Sequence, residues 1–92
     1  MSETLESDIE QALIKRIKAL GGICEKHTSP GRRSVPDRLV ILPGGHISFA
    51  ECKRPGQMPT TKQAKDHERR RVLGCVVYVI DSYEAIDHAY PL

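Results

Sequence analysis

The chain has 92 residues, 39% of them hydrophobic and 28% charged, with one Phe and no Trp; this suits one small soluble domain, residues 1–92, with an aliphatic core. The longest strongly apolar run, Val76 to Ile80, is too short to cross a bilayer, and Glu3, Glu6, Asp8 and Glu10 stand where a secretory signal wants positive charge. A cytoplasmic protein with no membrane partner is therefore expected. The net charge of +2 hides a segregation, because residues 11–80 hold all 14 Lys and Arg against five acids. A basic body suits a polyanion.

Residues 5–20 read as a helix, with Leu5, Ile9, Leu13, Ile17 and Leu20 at spacings of three and four. Gly21-Gly22 stops it. Residues 23–27 read as a strand, and Thr28 to Arg33 as a loop. Leu39 to Leu42 is a continuous apolar run, the pattern of a strand covered on both faces. Pro43-Gly44-Gly45 turns the chain, and His46 to Lys53 runs back. A second loop, 54–59, leads to Thr60-Thr61-Lys62-Gln63, a capping box that opens a helix over 61–73. Cys75 to Ile80 reads as a buried strand, and a short helix follows Ser82. The order αβββαβ predicts an α/β fold, a mixed sheet flanked by helices, with the strand at 75–80 parallel to the strand at 46–53. The odd number of cysteines (Cys24, Cys52, Cys75) and the lack of a C-x-x-C unit argue against a disulfide framework or a zinc site.

The hairpin over 34–53 ends in charge. If its loop is the three residues Pro43-Gly44-Gly45, Leu42 faces His46, Leu39 faces Phe49 and Asp37 falls opposite Glu51. Opposed residues have Cβ atoms about 4.5–5.5 Å apart, and Lys53, two residues on, shares the face of Glu51. A two-residue turn would set Asp37 opposite Cys52 and separate the acids. Both registers fit the residues. Two carboxylates and a lysine on one face suit a hard divalent cation, which takes carboxylate, water and phosphate oxygens and activates phosphodiesters. An exposed strand end with an ordinary ion pair has the same spacing.

Taken together, Pro36-Asp37 and Glu51-Cys52-Lys53 resemble the signature of the PD-(D/E)XK nucleases. The chain resembles a stand-alone VRR-NUC (virus-type replication-repair nuclease) domain most closely. The resemblance runs from Glu6-x-x-Ile9 and Gly21-Gly22 through Val35-Pro36-Asp37, Glu51-x-Lys53 and Gln63 to Gly74 and Ser82. It implies a restriction-endonuclease-like fold. It also implies Mg²⁺ or Mn²⁺ held by Asp37, Glu51 and the Cys52 backbone carbonyl, with Lys53 activating or orienting the attacking water. Small virus-type members are similar to Holliday-junction resolvases, so the resemblance implies a homodimer acting on branched double-stranded DNA, with 5′-phosphate and 3′-hydroxyl products. The family often has Gly where this chain has Ser34, which bears on the shape of the loop.

Two supporting catalytic residues each have a second reading. Glu6 either faces the site or lies outside a helix opened by a Ser7–Glu10 capping box. Gln63 either bonds the attacking water or scissile phosphate, as the resemblance implies, or simply caps its helix. Arg32, Arg33, Ser34, Arg54, Lys62 and Lys65 are the expected DNA contacts, holding the backbone without reading sequence. Arg69, Arg70 and Arg71 add charge, and Arg70 or Arg71 can snorkel. The four histidines are dispersed and read as surface residues. The expected activity is metal-dependent cleavage of branched DNA. The rivals are a junction-binding module that does not cut, a flap or nicking nuclease acting with partner proteins, and a small interaction domain with an ion-paired hairpin end.

Overall fold

The computed structural model describes residues 3–32 and 34–92. Arg33, one of the expected DNA contacts, lies outside the described residues. The elements are α1 (Glu6–Ala19), β1 (Ile23–Lys26), β2 (Arg38–Leu42), β3 (His46–Cys52), α2 (Thr61–Val72), β4 (Val77–Ile80) and α3 (Tyr83–Ala89). The strands form one sheet in the order β1-β2-β3-β4. The β1–β2 and β2–β3 pairs are antiparallel and β3–β4 is parallel, giving the expected mixed sheet.

The two sheet faces are built differently. On one, α1 lays down Ile9, Leu13 and Ile17, each 0% exposed, against Val40, Ala50, Cys52 and Ile80. Burying a side chain of this kind contributes roughly 1.5–3 kcal/mol. Ile86 and Tyr90 of the α3 end complete that core. The Tyr90 hydroxyl, pushed up to about 12 chiefly by burial, pairs with Ser48 Oγ at 2.6 Å. Ser82 caps α3 by accepting the Ala85 N–H at 3.0 Å. Between α1 and β1, a Cβ on Gly22 would lie 2.5 Å from the Ile41 carbonyl oxygen, so the chain can pass this close only as glycine.

The other face is covered by α2, and only in part. Among the described residues of this helix, the buried ones are Asp66 and His67, both polar. Because α2 covers one end of the face, Leu39 and Ile41 are half-buried and Ile23 and Ile47 are more than half exposed. The expectation that the 39–42 run is covered on both faces is therefore corrected. A second correction concerns β4, which begins at Val77 and not Cys75. The Cys75 N–H donates to the Arg70 carbonyl (3.0 Å) and the Gly74 N–H to Arg71 (2.9 Å), so Cys75 closes the C-terminus of α2 before the strand can start.

The hairpin has the three-residue turn. Leu42 pairs with His46, Leu39 with Phe49 and Arg38 with Ala50. Gly44 (φ 91°) and Gly45 (φ 76°) take the two left-handed positions, which only glycine adopts freely.

Candidate active site

Continued by one step past Arg38 and Ala50, the β2–β3 register sets Asp37 across from Glu51. Asp37 Oδ2 accepts the Cys52 N–H at 3.0 Å. In a strand the N–H and C=O of one residue point to the same edge, so the Cys52 carbonyl also faces Asp37. The Cys52 side chain lies on the opposite face, 1% exposed in the α1 core. Glu51 is 1% exposed. Burial, then a hydrogen bond and repulsion from the Asp37 carboxyl, push its pKa up to about 8; Lys53 pulls it down and Glu6 adds to the rise.

Lys53 is 6% exposed and forms no ion pair within 4 Å among the described residues. The donor set at this strand end is thus two carboxylates and a backbone carbonyl. No group of three or more His, Cys, Asp or Glu side chains suited to a metal occurs among the described residues. Two carboxylates with a main-chain oxygen still fit Mg²⁺ or Mn²⁺, which are held by few protein oxygens together with water and phosphate. A cation held there would relieve the repulsion between the two acids.

The loop before β2 and the start of α2 enclose a groove of about 630 Å³ lined by Gly31, Arg32, Ser34, Thr60, Lys62 and Gln63. A second hollow of about 300 Å³ adjoins it, adding Lys65 and Arg69. The fold therefore brings Arg32, Ser34, Lys62 and Lys65 together, whereas Arg54 is exposed in the loop after β3. Arg32 also reaches a third hollow that includes Asp37, which links the basic groove to the acid pair.

Glu6 opens α1 and is exposed; its effect on Glu51 sets it on the site's side of the helix. The Ser7–Glu10 box is not formed. Instead Asp8 accepts the Leu5 N–H at 2.8 Å, and Glu10 accepts from Arg38 Nε at 3.4 Å. Gln63 forms the capping box with Thr60: its Oε1 accepts the Thr60 N–H at 2.9 Å, and its N–H donates to Thr60 Oγ1 at 3.2 Å. This cap leaves the side-chain NH₂ of Gln63 at the groove wall.

No family model matches the sequence. A solved structure named "VRR_NUC domain" superposes with a TM-score of 0.85, at 38% identity and with 90% of each chain covered. "Putative nuclease p44" of Acyrthosiphon pisum secondary endosymbiont phage 1 is 51% identical over 79 residues, 86% of this chain and 85% of its own length.

The chain belongs to the VRR-NUC family.

Within this VRR-NUC domain, two histidines are not the surface residues expected. His67 is 1% exposed, with Nε2 3.4 Å from Glu51 Oε1. Burial, helped by the Arg71 charge, holds its pKa below the usual range. His27 is half-buried: Nδ1 donates to the Pro36 carbonyl (2.9 Å), its main-chain N–H donates to the Asp37 carbonyl (2.7 Å), and its ring lies 5.2 Å from Phe49. It fixes the entry of Asp37. His67 carried no signal in the sequence, because α2 has no apolar stripe to mark its inward face. His27 had none either, because its contacts come from the fold of the 28–36 loop. Of the basic run, Arg70 stacks on Phe49 (4.9 Å) and Arg71 donates to the Val77 carbonyl (2.8 Å), so both serve the fold.

Proposed function

We propose that this VRR-NUC domain, residues 1–92, is a Mg²⁺- or Mn²⁺-dependent endodeoxyribonuclease that hydrolyses phosphodiesters of branched double-stranded DNA, four-way junctions foremost, as a homodimer. One observation carries the reading: the hairpin register brings the Asp37 and Glu51 carboxyl groups together beside Lys53, at one end of a basic groove. A pure binding module gains nothing from acids facing phosphate.

Asp37, Glu51 and the Cys52 carbonyl would hold the cation, which supplies Lewis-acid polarisation of the scissile phosphate and an acidified water. The remaining work falls to the chain. Lys53 holds the attacking water or stabilises the charge that grows on the phosphate oxygens. Gln63 donates to the same water or phosphate through its free NH₂. Glu6 orders solvent at the mouth of the site. The water oxygen bonds to phosphorus as the P–O3′ bond breaks, and a proton passes to the departing 3′ oxygen, leaving 5′-phosphate and 3′-hydroxyl. Arg32, Arg33, Ser34, Arg54, Lys62 and Lys65 hold the flanking phosphates and set the backbone in register without reading bases.

Two cuts at a junction need two sites related by a two-fold axis, which supports a homodimer. The sheet offers a surface for a second copy: Ile23, Ile41 and Ile47 stand side by side in register, with Ile23 53% and Ile47 57% exposed. The test is a panel of labelled four-way, flap and linear duplexes with Mg²⁺, Mn²⁺ or EDTA. Metal-dependent cutting that favours the four-way substrate is expected. Tight junction binding without cutting would overturn the enzyme reading, and preference for flaps would overturn the junction assignment.

A further inference from the structure

Each of the two acids has one nitrogen partner. For Asp37 it is the backbone N–H of Cys52, at 3.0 Å. For Glu51 it is the imidazole of His67, whose Nε2 lies 3.4 Å from Oε1. The two side chains of this second contact are 1% and 2% exposed, so water does not compete for it. The origin of His67 sharpens the point. Helix α2 sits on the sheet through Asp66 and His67 and turns no apolar side chain inward at that level. Its rotation is held by Arg70, which stacks on Phe49 (4.9 Å), by Arg71, which donates to the Val77 carbonyl (2.8 Å), and by Asp66, which accepts from Arg32 Nη2 (3.4 Å) and, within the helix, from Arg70 Nε (2.8 Å) and Arg69 Nη2 (3.1 Å). An aliphatic side chain would fill the place of His67 without the cost of burying a polar ring. What the imidazole adds is a ring nitrogen aimed at one carboxylate oxygen.

We infer that His67 is a positioning residue for the cation site: its Nε2–H occupies one lone pair of Glu51 Oε1 and fixes the carboxylate plane, leaving Oε2 and the other lone pairs directed toward Asp37. This rests on the reading of Asp37 and Glu51 as cation ligands. A carboxylate has about four acceptor positions, so one N–H leaves room for a cation. Partners that orient a metal ligand in this way typically change metal affinity by about 10–100-fold when removed.

The test uses metal-free full-length protein titrated with Mn²⁺ by calorimetry, for wild type, H67F, H67Q and D37N, with Tm recorded for each. H67F keeps the ring volume without a donor, and is expected to melt within a few degrees of wild type while binding Mn²⁺ about 10–100-fold more weakly. The H67Q amide can stand where Nε2 stands and is expected to restore most of the affinity, a rescue that packing alone would not produce. In the wild type, ¹⁵N NMR should find the His67 proton on Nε2, with a shift that follows added Mg²⁺. Unchanged Mn²⁺ affinity in H67F, equal losses in H67F and H67Q, or a proton on Nδ1 would each overturn the inference. The tautomer and H67Q decide it even where H67F does not fold. D37N separates the two levels: if it loses Mn²⁺ and H67F does not, His67 alone is misassigned. If D37N binds as wild type does, the cation site itself fails and His67 falls with it.

Discussion

Glu51, beneath α2, and Asp66, on α2 itself, are both buried carboxylates, and they bind protons in opposite senses. Burial and the Asp37 carboxyl raise the pKa of Glu51 to about 8. In metal-free protein the folded state therefore holds a proton that the unfolded chain has already released, and stability falls as the pH climbs from the ordinary glutamate range to about 8. Asp66 is also opposed by burial, yet hydrogen bonds from Arg70 and Arg69 hold its pKa below the usual value. Its contribution is present above about pH 4 and is lost as the pH falls further. The measurable consequence is in E51Q. In EDTA at pH 8, this variant should melt higher than wild type, by about 4–8 °C for each kcal/mol of strain relieved, and the gain should shrink toward pH 5. The same variant should not cut DNA. A lower Tm for E51Q at pH 8 would mean that Glu51 is not a strained acid in the metal-free fold.

At the scale of elements, α2 is the least conventional piece. Its N-terminus is capped by Thr60 and Gln63, but its hold on the rest of the fold is polar, through Asp66 to Arg32, His67 to Glu51, Arg70 on Phe49 and Arg71 to the Val77 carbonyl. In D66N the arginines should lose their common acceptor, costing about 1–3 kcal/mol. Hydrogen exchange should speed up across α2 well before the β2–β3 ladder; uniform acceleration through the sheet would contradict this picture. The same helix marks where sequence reading stops. The hairpin was legible as far as its turn: a three-residue Pro43-Gly44-Gly45 loop sets Asp37 across from Glu51, but a two-residue turn fitted the residues as well, and the strand pairing is what selects the first. The α1 stripe was legible because Ile9, Leu13 and Ile17 repeat at helical spacing. His67 was missed because a polar residue in a helix without an apolar stripe carries no sign of which way it faces. The burial of Asp66 was equally silent, since Asp beside three arginines reads as solvated charge. The start of β4 was misplaced because cap and strand compete for the same Cys75 N–H.

For the whole molecule, the fold turns a modest net charge into one basic groove that gathers Arg32, Lys62 and Lys65, and Arg32 also lines the hollow that holds Asp37. Junction binding should weaken steeply with salt, and K62A should reduce the slope of log K against log[salt] by about 1 without changing sequence preference. An unchanged slope would remove Lys62 from the phosphate contacts. The proposed dimer is tested by sedimentation: wild type should run as a dimer and I47K as a monomer, while a wild-type monomer would refute the two-fold arrangement. The central claim is that the charged hairpin end is a phosphodiester-cleaving site. Its most direct measurement is the single-turnover cutting rate of a labelled four-way junction in Mg²⁺ by wild type and K53A, with junction affinity measured in parallel. The expected result is metal-dependent cutting that falls by about 10²–10⁴-fold in K53A while binding holds; cutting by K53A at the wild-type rate would contradict the claim.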